Sequence, residues 1–218
     1  MNQTITYIVL AHGEDSVFST INNIIKYKDK DDKIIVLADP TSEEYAKKLK
    51  RMPLKLVQHV LEKDYSAHRN FVLDKVNTSY MVWLDADECL SDNLQKNIKT
   101  ILESNNPDAI WCARLNLFDG VKPMDALMYG WTLQGNICNY PDLQCRIFKA
   151  KKGIRFVGKL HERPKLEKHH KVIKLPINED LHIIHTKTIE TQLKDNLRYN
   201  TEFSQRDNAG ITTKELLQ

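Results

Sequence analysis

The stretch Tyr80-Met81-Val82-Trp83-Leu84-Asp85-Ala86-Asp87-Glu88 sets an apolar run, short enough for a buried strand, directly against three carboxylates. An Asp-x-Asp pair suits a hard divalent cation, which binds oxygen ligands and keeps several water and phosphate oxygens in its shell. In open α/β sheets the carboxyl ends of the strands face the ligand crevice, so acids there are presented to a ligand. A cation with phosphates suggests a nucleotide. The spacing alone carries little weight, because Asp29-Lys30-Asp31 repeats it within the polar run 26–33, which reads as a solvated loop.

Glycine loops that cradle phosphates are missing. The chain has seven glycines and neither G-x-G-x-x-G nor G-x-x-x-x-G-K-[ST], which argues against a dinucleotide enzyme and a P-loop NTPase. Any phosphate must then be held by a metal and basic side chains. Cys89, Cys112, Cys138 and Cys145 form no CxxC pair and read as reduced thiols. His182 and His185 lie three apart on a predicted strand, so they point to opposite faces and form no local chelate.

The elements that must position these residues follow a strand–helix rhythm. Residues 4–11 read as a buried strand, 15–28 as a helix with one apolar stripe, and 33–38 as a second strand. Thr41-Ser42-Glu43-Glu44 reads as a capping box opening a helix to about residue 51. Residues 54–60 form a third strand, Asp64 caps a helix through residue 76, and 80–84 form the fourth strand. A parallel, doubly wound sheet is expected. Ser91 then caps a helix carrying Leu94, Ile98, Ile101 and Leu102, and residues 109–118 alternate as a strand. Shorter apolar pieces at 144–148, 154–157, 172–175 and 181–185 predict a more antiparallel second half, with a helix near 188–203 behind it.

With 218 residues, 41% apolar and 28% charged, the chain is an ordinary globular one without a linker, and one domain is expected. No run approaches the length of a membrane span and no secretory signal layout is present, so a cytoplasmic protein is expected. The net charge of +3 hides an asymmetry: residues 149–174 hold ten Lys and Arg against only Glu162 and Glu167. That segment is either a solvated basic loop or a contact surface for phosphates, of a donor or of a polyanionic acceptor.

A series of ordered segments resembles the family 2 glycosyltransferases of GT-A fold. They are Leu10-Ala11-His12, the run from Ile34 to Ser42, Ser66-Ala67-His68-Arg69-Asn70, the acidic strand end at Leu84–Glu88, and the pair 141–148 and 154–162, which are similar to the acceptor-side half of short bacterial and phage members. The resemblance implies a GT-A-type single domain of α/β class: a mainly parallel, Rossmann-like sheet in a nucleotide-sugar-binding half (1–118), a mixed or antiparallel acceptor-side half (119–205) and a tail (206–218). It implies metal-dependent, inverting transfer from a nucleotide sugar, most simply a UDP-sugar, with Mn²⁺ or Mg²⁺ as cofactor. Donor-site roles fall on Ala11, Asp39, Arg69, Asp85 and Arg146, although Ala38 stands where the family usually carries a further acid. Metal-site roles fall on Asp87, with Asp85 on the ribose or a metal-bound water and His185 completing the shell. Glu88 belongs either to the acidic motif or to the dipole of the following helix.

The proton of the acceptor hydroxyl needs a carboxylate base. Glu162 and Asp142 are the candidates, and Glu162 is favoured as a lone acid beside His161 in a basic stretch; Asp142, after Pro141, reads equally as a turn residue. The acceptor hydroxyl belongs to a saccharide, lipid, protein or modified DNA, the last as in phage glycosyltransferases acting on hydroxylated bases. Two other classes stay open: a nucleotidyltransferase, which would carry a richer glycine loop than Ala11-His12-Gly13-Glu14-Asp15, and a non-catalytic nucleic-acid-binding protein, which leaves Asp85 and Asp87 unexplained.

Overall fold

The computed structural model describes residues 3–203; the predicted tail 206–218 lies outside them. β1 (Ile5–Ala11), β2 (Lys33–Ala38), β3 (Lys55–Gln58) and β4 (Tyr80–Asp85) run parallel in the order β3-β2-β1-β4. They alternate with α1 (Ser16–Tyr27), α2 (Glu43–Lys50) and α3 (Tyr65–Leu73). Both faces of this half are covered, which is why its strands read as continuous apolar runs. Alternate residues of β1 serve the two cores. Ile5, Tyr7 and Val9 pack with Val17, Ile21 and Ile24 of α1, while Ile8 and Leu10 pack with Val72 and Leu73 of α3 and with Trp83.

Beyond β4 the same sheet continues through β8 (Ile137–Lys149), β6 (Ala109–Asp119), β12 (His182–Thr188) and β5 (Glu88–Leu90). β8 is antiparallel to both β4 and β6, whereas β12 and β11 (Val172–Lys174) run parallel to β6. The second half is therefore mixed and mostly antiparallel, as expected. α4 (Asp92–Asn105) lies between β5 and β6, and α6 (Ile189–Glu202) follows β12 with none of its residues buried. A separate pair, β9 (Phe156–Val157) and β10 (Arg163–Pro164), is antiparallel.

Several expectations need correction. α2 is capped by Ser42, whose hydroxyl accepts the Tyr45 N–H at 3.2 Å, so Glu44 is not in the reciprocal capping-box position. α3 is capped by Asp64 as expected but ends at Leu73. The piece predicted at 144–148 is the end of a 13-residue strand. Its earlier part, from Ile137 to Leu143, escapes an apolar-run reading because polar Asn139 and Asp142 interrupt it. α5 (Pro123–Tyr129) and β7 (Leu133–Gln134) were not predicted at all. α5 buries only Ala126 and exposes Met124, Leu127, Met128 and Tyr129, so it lacks the one-sided stripe by which helices are recognised. Among the described residues no helix is long and apolar enough to cross a membrane.

Candidate active site

β4 carries Asp85 at its carboxyl end, with β1 on one side and β8 on the other. A cleft of about 660 Å³ opens above it, lined by Asp85, Asp87, Asp142, Arg146, Glu162 and His185 among others. α3 reaches this cleft because Asp64 accepts the Ala67 N–H at 2.8 Å and starts the helix there. The helix then turns His68 and Arg69 inward, and both are buried. The Arg69 guanidinium lies 5.2 Å from the Trp83 ring centre and 5.3 Å from that of Phe156, stacked aromatic contacts that hold a planar cation in place.

Carboxylates and guanidiniums alternate across the cleft floor. Glu162 pairs with Arg69, whose Nη2 is also 2.9 Å from Asp85 Oδ1. Arg146 Nη2 is 2.9 Å from both Asp85 Oδ2 and Glu88 Oε1. Arg114 continues the row, 2.8 Å from Glu88 and 2.7 Å from Asp142. Burial alone would raise the Asp85 carboxyl, but Arg146 and Arg69 outweigh it and hold Asp85 well below the usual carboxylate range. Asp142 is likewise lowered: burial raises it, and Arg114, Gln144 and Asn116 more than offset that.

Glu88 does not serve the dipole of α4. Its side chain is fully buried, it pairs with two arginines, and it accepts the Asp85 N–H at 3.0 Å. It therefore fixes the turn that presents Asp85 and Asp87. Asp92 occupies the first turn of α4 instead.

Asp87 Oδ2 faces His185 Nε2 at 3.2 Å. Burial raises the Asp87 carboxyl, yet the His185 contact leaves it lowered overall. His185 Nδ1 is 2.9 Å from Asn116 Oδ1. His182, on the other face of β12, contacts the Tyr140 hydroxyl and the Ile177 carbonyl, each at 2.8 Å, away from Asp87.

Ala11 and Asp39 do not line the main cleft. Ala11 is fully buried and its carbonyl accepts the Asp39 N–H at 3.1 Å, while Asp39 Oδ1 accepts the Leu61 N–H at 2.8 Å. Their neighbour His12 lines both the cleft and a smaller hollow of about 230 Å³ beside the start of α2.

The basic segment divides. Lys149 pairs in register with Tyr80, at the end of β4 opposite Asp85 and roughly 16 Å away by strand rise. There Lys149 and Lys152 share the buried Asp108, at 3.3 and 3.5 Å. Arg155 is occupied by Asp74 at 2.6 Å. Phe156 and the stretch from Leu160 to Pro164 are the parts that border the cleft.

Among the described residues no three of His, Cys, Asp and Glu converge as a closed metal cage. A Mg²⁺-like ion needs none, because it is bound through one or two protein ligands together with substrate phosphates and water. Asp87 fits that donor set, and the His185 imidazole stands beside it as a nitrogen donor for a softer ion such as Mn²⁺. Asp85, held by two guanidiniums, is already neutralised and is placed for a hydrogen-bonding role.

Arg114, Asn116 and the α6 residues bordering the cleft, such as Gln192, Asp195 and Tyr199, were not singled out from the sequence. For Arg114 a signal existed, since a charged residue inside the alternating strand 109–118 calls for a buried partner.

Crystal structures from S. aureus show the same fold. TarS 1-349 aligns with TM-score 0.54 at 12% identity, over 94% of this chain and 68% of that one. Its complex with UDP gives 0.58 at 12% identity over the same shares, and its complex with UDP-GlcNAc 0.53 at 14% over 84% and 58%. No curated protein matches the chain. The model of the family described as Glycosyl transferase family 2 matches residues 6–157, from β1 through β9. That span takes in the parallel half, the acidic end of β4 and the arginine of β8, so the chain belongs to glycosyl transferase family 2 and is a glycosyltransferase, not the nucleotidyltransferase or nucleic-acid-binding module that its sequence left open.

Proposed function

We propose that this enzyme transfers a sugar, with inversion at the anomeric carbon, from a uridine diphosphate donor to an acceptor hydroxyl, with Mn²⁺ or Mg²⁺ as cofactor. The observation that carries the reading is the Asp87–His185 pair, 3.2 Å apart, beside an Asp85 already clamped by two arginines. The fold shared with structures holding UDP and UDP-GlcNAc supports the donor class.

Asp87 and His185 would hold the cation, which supplies positive charge beside the leaving diphosphate. Arg146 and Arg69 are the buried cations that hold Asp85, and in the transition state they would offer the leaving phosphate positive charge that Asp85 otherwise balances. Ala11 and Asp39 shape the nucleoside end through the loop they tie together. Glu162 accepts the proton of the acceptor hydroxyl as it attacks from the face opposite the leaving group. Asp142 is the weaker candidate for base, because Arg114, Gln144 and Asn116 all donate to it and hold its carboxyl low.

The densest lysines lie at the far end of β4, which favours a saccharide, lipid or protein hydroxyl over modified DNA as the acceptor. The function is tested by screening UDP-sugars for thermal protection and UDP release with Mn²⁺, with Mg²⁺ and with chelator. At least one donor should protect and turn over only with metal. A flat response to every UDP-sugar with either metal would overturn the donor and metal assignments together.

A further inference from the structure

Asn116 is buried on β6 beside a register shift that falls between Arg114 and Asn116. Its side-chain NH₂ donates to the Cys138 carbonyl and to Asp142 Oδ2, each at 3.3 Å. A carbonyl and an ionised carboxylate can only accept, so the amide has one workable orientation, with Oδ1 turned toward His185 Nδ1 at 2.9 Å. An amide oxygen can only accept as well. His185 Nδ1 must then carry a proton, and Nε2 is the ring nitrogen turned to Asp87 Oδ2, 3.2 Å away.

We infer that Asn116 is a positioning residue that fixes the tautomer and ring orientation of His185 and, with the other end of the same amide, anchors Asp142. One buried side chain thus joins the two walls of the cleft: the pair that would hold the cation, and a carboxylate on the acceptor side. The Phe118 ring stands edge-on to His185 at 5.9 Å and supports the same orientation from the next inward position of β6. Because Asn116 holds Nδ1, the nitrogen turned toward a cation that Asp87 would hold is Nε2, 3.2 Å from Asp87 Oδ2. The consequence for metal affinity rests on the function proposed above; the tautomer does not.

The test uses protein with ¹⁵N-labelled histidine at about pH 8.5, where an ordinary imidazole is neutral. The His185 ring signals are assigned by their loss in His185→Gln. The wild-type protein should show Nδ1–H. Asn116→Ala should convert this to a tautomer mixture and lower Mn²⁺ affinity, measured with UDP present, by about 10- to 100-fold. Asn116→Asp retains an acceptor for Nδ1–H and should keep the single tautomer. Asn116→Leu, similar in branched shape, removes all three hydrogen bonds without opening a cavity and replaces the alanine variant if that fails to fold. A single Nδ1–H tautomer that persists in the Ala or Leu variant overturns the inference, whatever the metal does. Failure of wild-type protein to bind Mn²⁺ with UDP overturns the metal reading instead, and the ring signals then decide the inference by themselves.

Discussion

Arg69 and Glu162, 93 residues apart in sequence, form a buried ion pair that joins α3 to the segment between β9 and β10. The same guanidinium holds Asp85, so the proposed base and the strand-end acid of β4 share one cation. The segment that carries Glu162 is thereby positioned by a residue of α3.

Glu162→Gln should lower turnover by about 10²-fold or more while leaving donor affinity nearly unchanged, since a base acts in proton transfer and Arg69 retains Asp85. Steady-state kinetics with donor affinity measured separately make the distinction. If Asp142→Asn shows that split and Glu162→Gln does not, the two roles belong the other way round.

Asp87→Ala should abolish most turnover and most metal-dependent donor binding with the fold intact, because the side chain is 30% exposed and its removal opens no core cavity. Circular dichroism and metal titration with UDP check this. Wild-type turnover in the variant would sink the metal assignment.

Arg146→Met should be among the most destabilising single changes in the molecule. It leaves Glu88, whose side chain is fully buried, and Asp85 with one guanidinium each. Breaking one partner from a buried ionic network costs about 3–5 kcal/mol, which urea unfolding would register. A loss under about 1 kcal/mol would mean that the arginine row contributes little to the fold.

His68 should make stability fall between pH 7 and 5. Burial, with His12 and His59 adding to it, pushes its imidazole down to about 4. The unfolded chain therefore takes up the proton first, so the contribution is present above the ordinary value near 6.5 and fades as pH drops toward 4. From pH 7 to 5 this amounts to about 2 kcal/mol. His68→Gln should flatten that part of the stability curve, measured by urea midpoints at the two pH values; an unchanged slope would remove His68 as the cause.

The parallel half was legible because its strands are buried on both faces and its helices start at capping residues, Asp64 and Ser91 among them. The acids at the end of β4 were legible for the same reason, as polar residues ending an apolar run. What could not be read was pairing at long range. Nothing local to Glu88 announces Arg114 and Arg146, and nothing local to His185 announces Asn116. The basic segment misled in the opposite way: continuous in sequence, it is split in space, with Lys149 and Lys152 at Asp108 and Glu162 in the cleft. α5 was missed because its apolar residues face outward.

β12 fills the position between β6 and β5, although it is made after both. During synthesis β6 and β5 must therefore wait with open edges, since Ile183 and His185 pair with Leu90 and Glu88 only once residues 182–188 have emerged. His185 is on that late strand and beyond the family-matched segment 6–157, so the strands of the parallel half are made before the Asp87–His185 pair can form. A ribosome-bound chain stalled before β12 would own every acid of the cleft floor and none of the imidazole that faces Asp87.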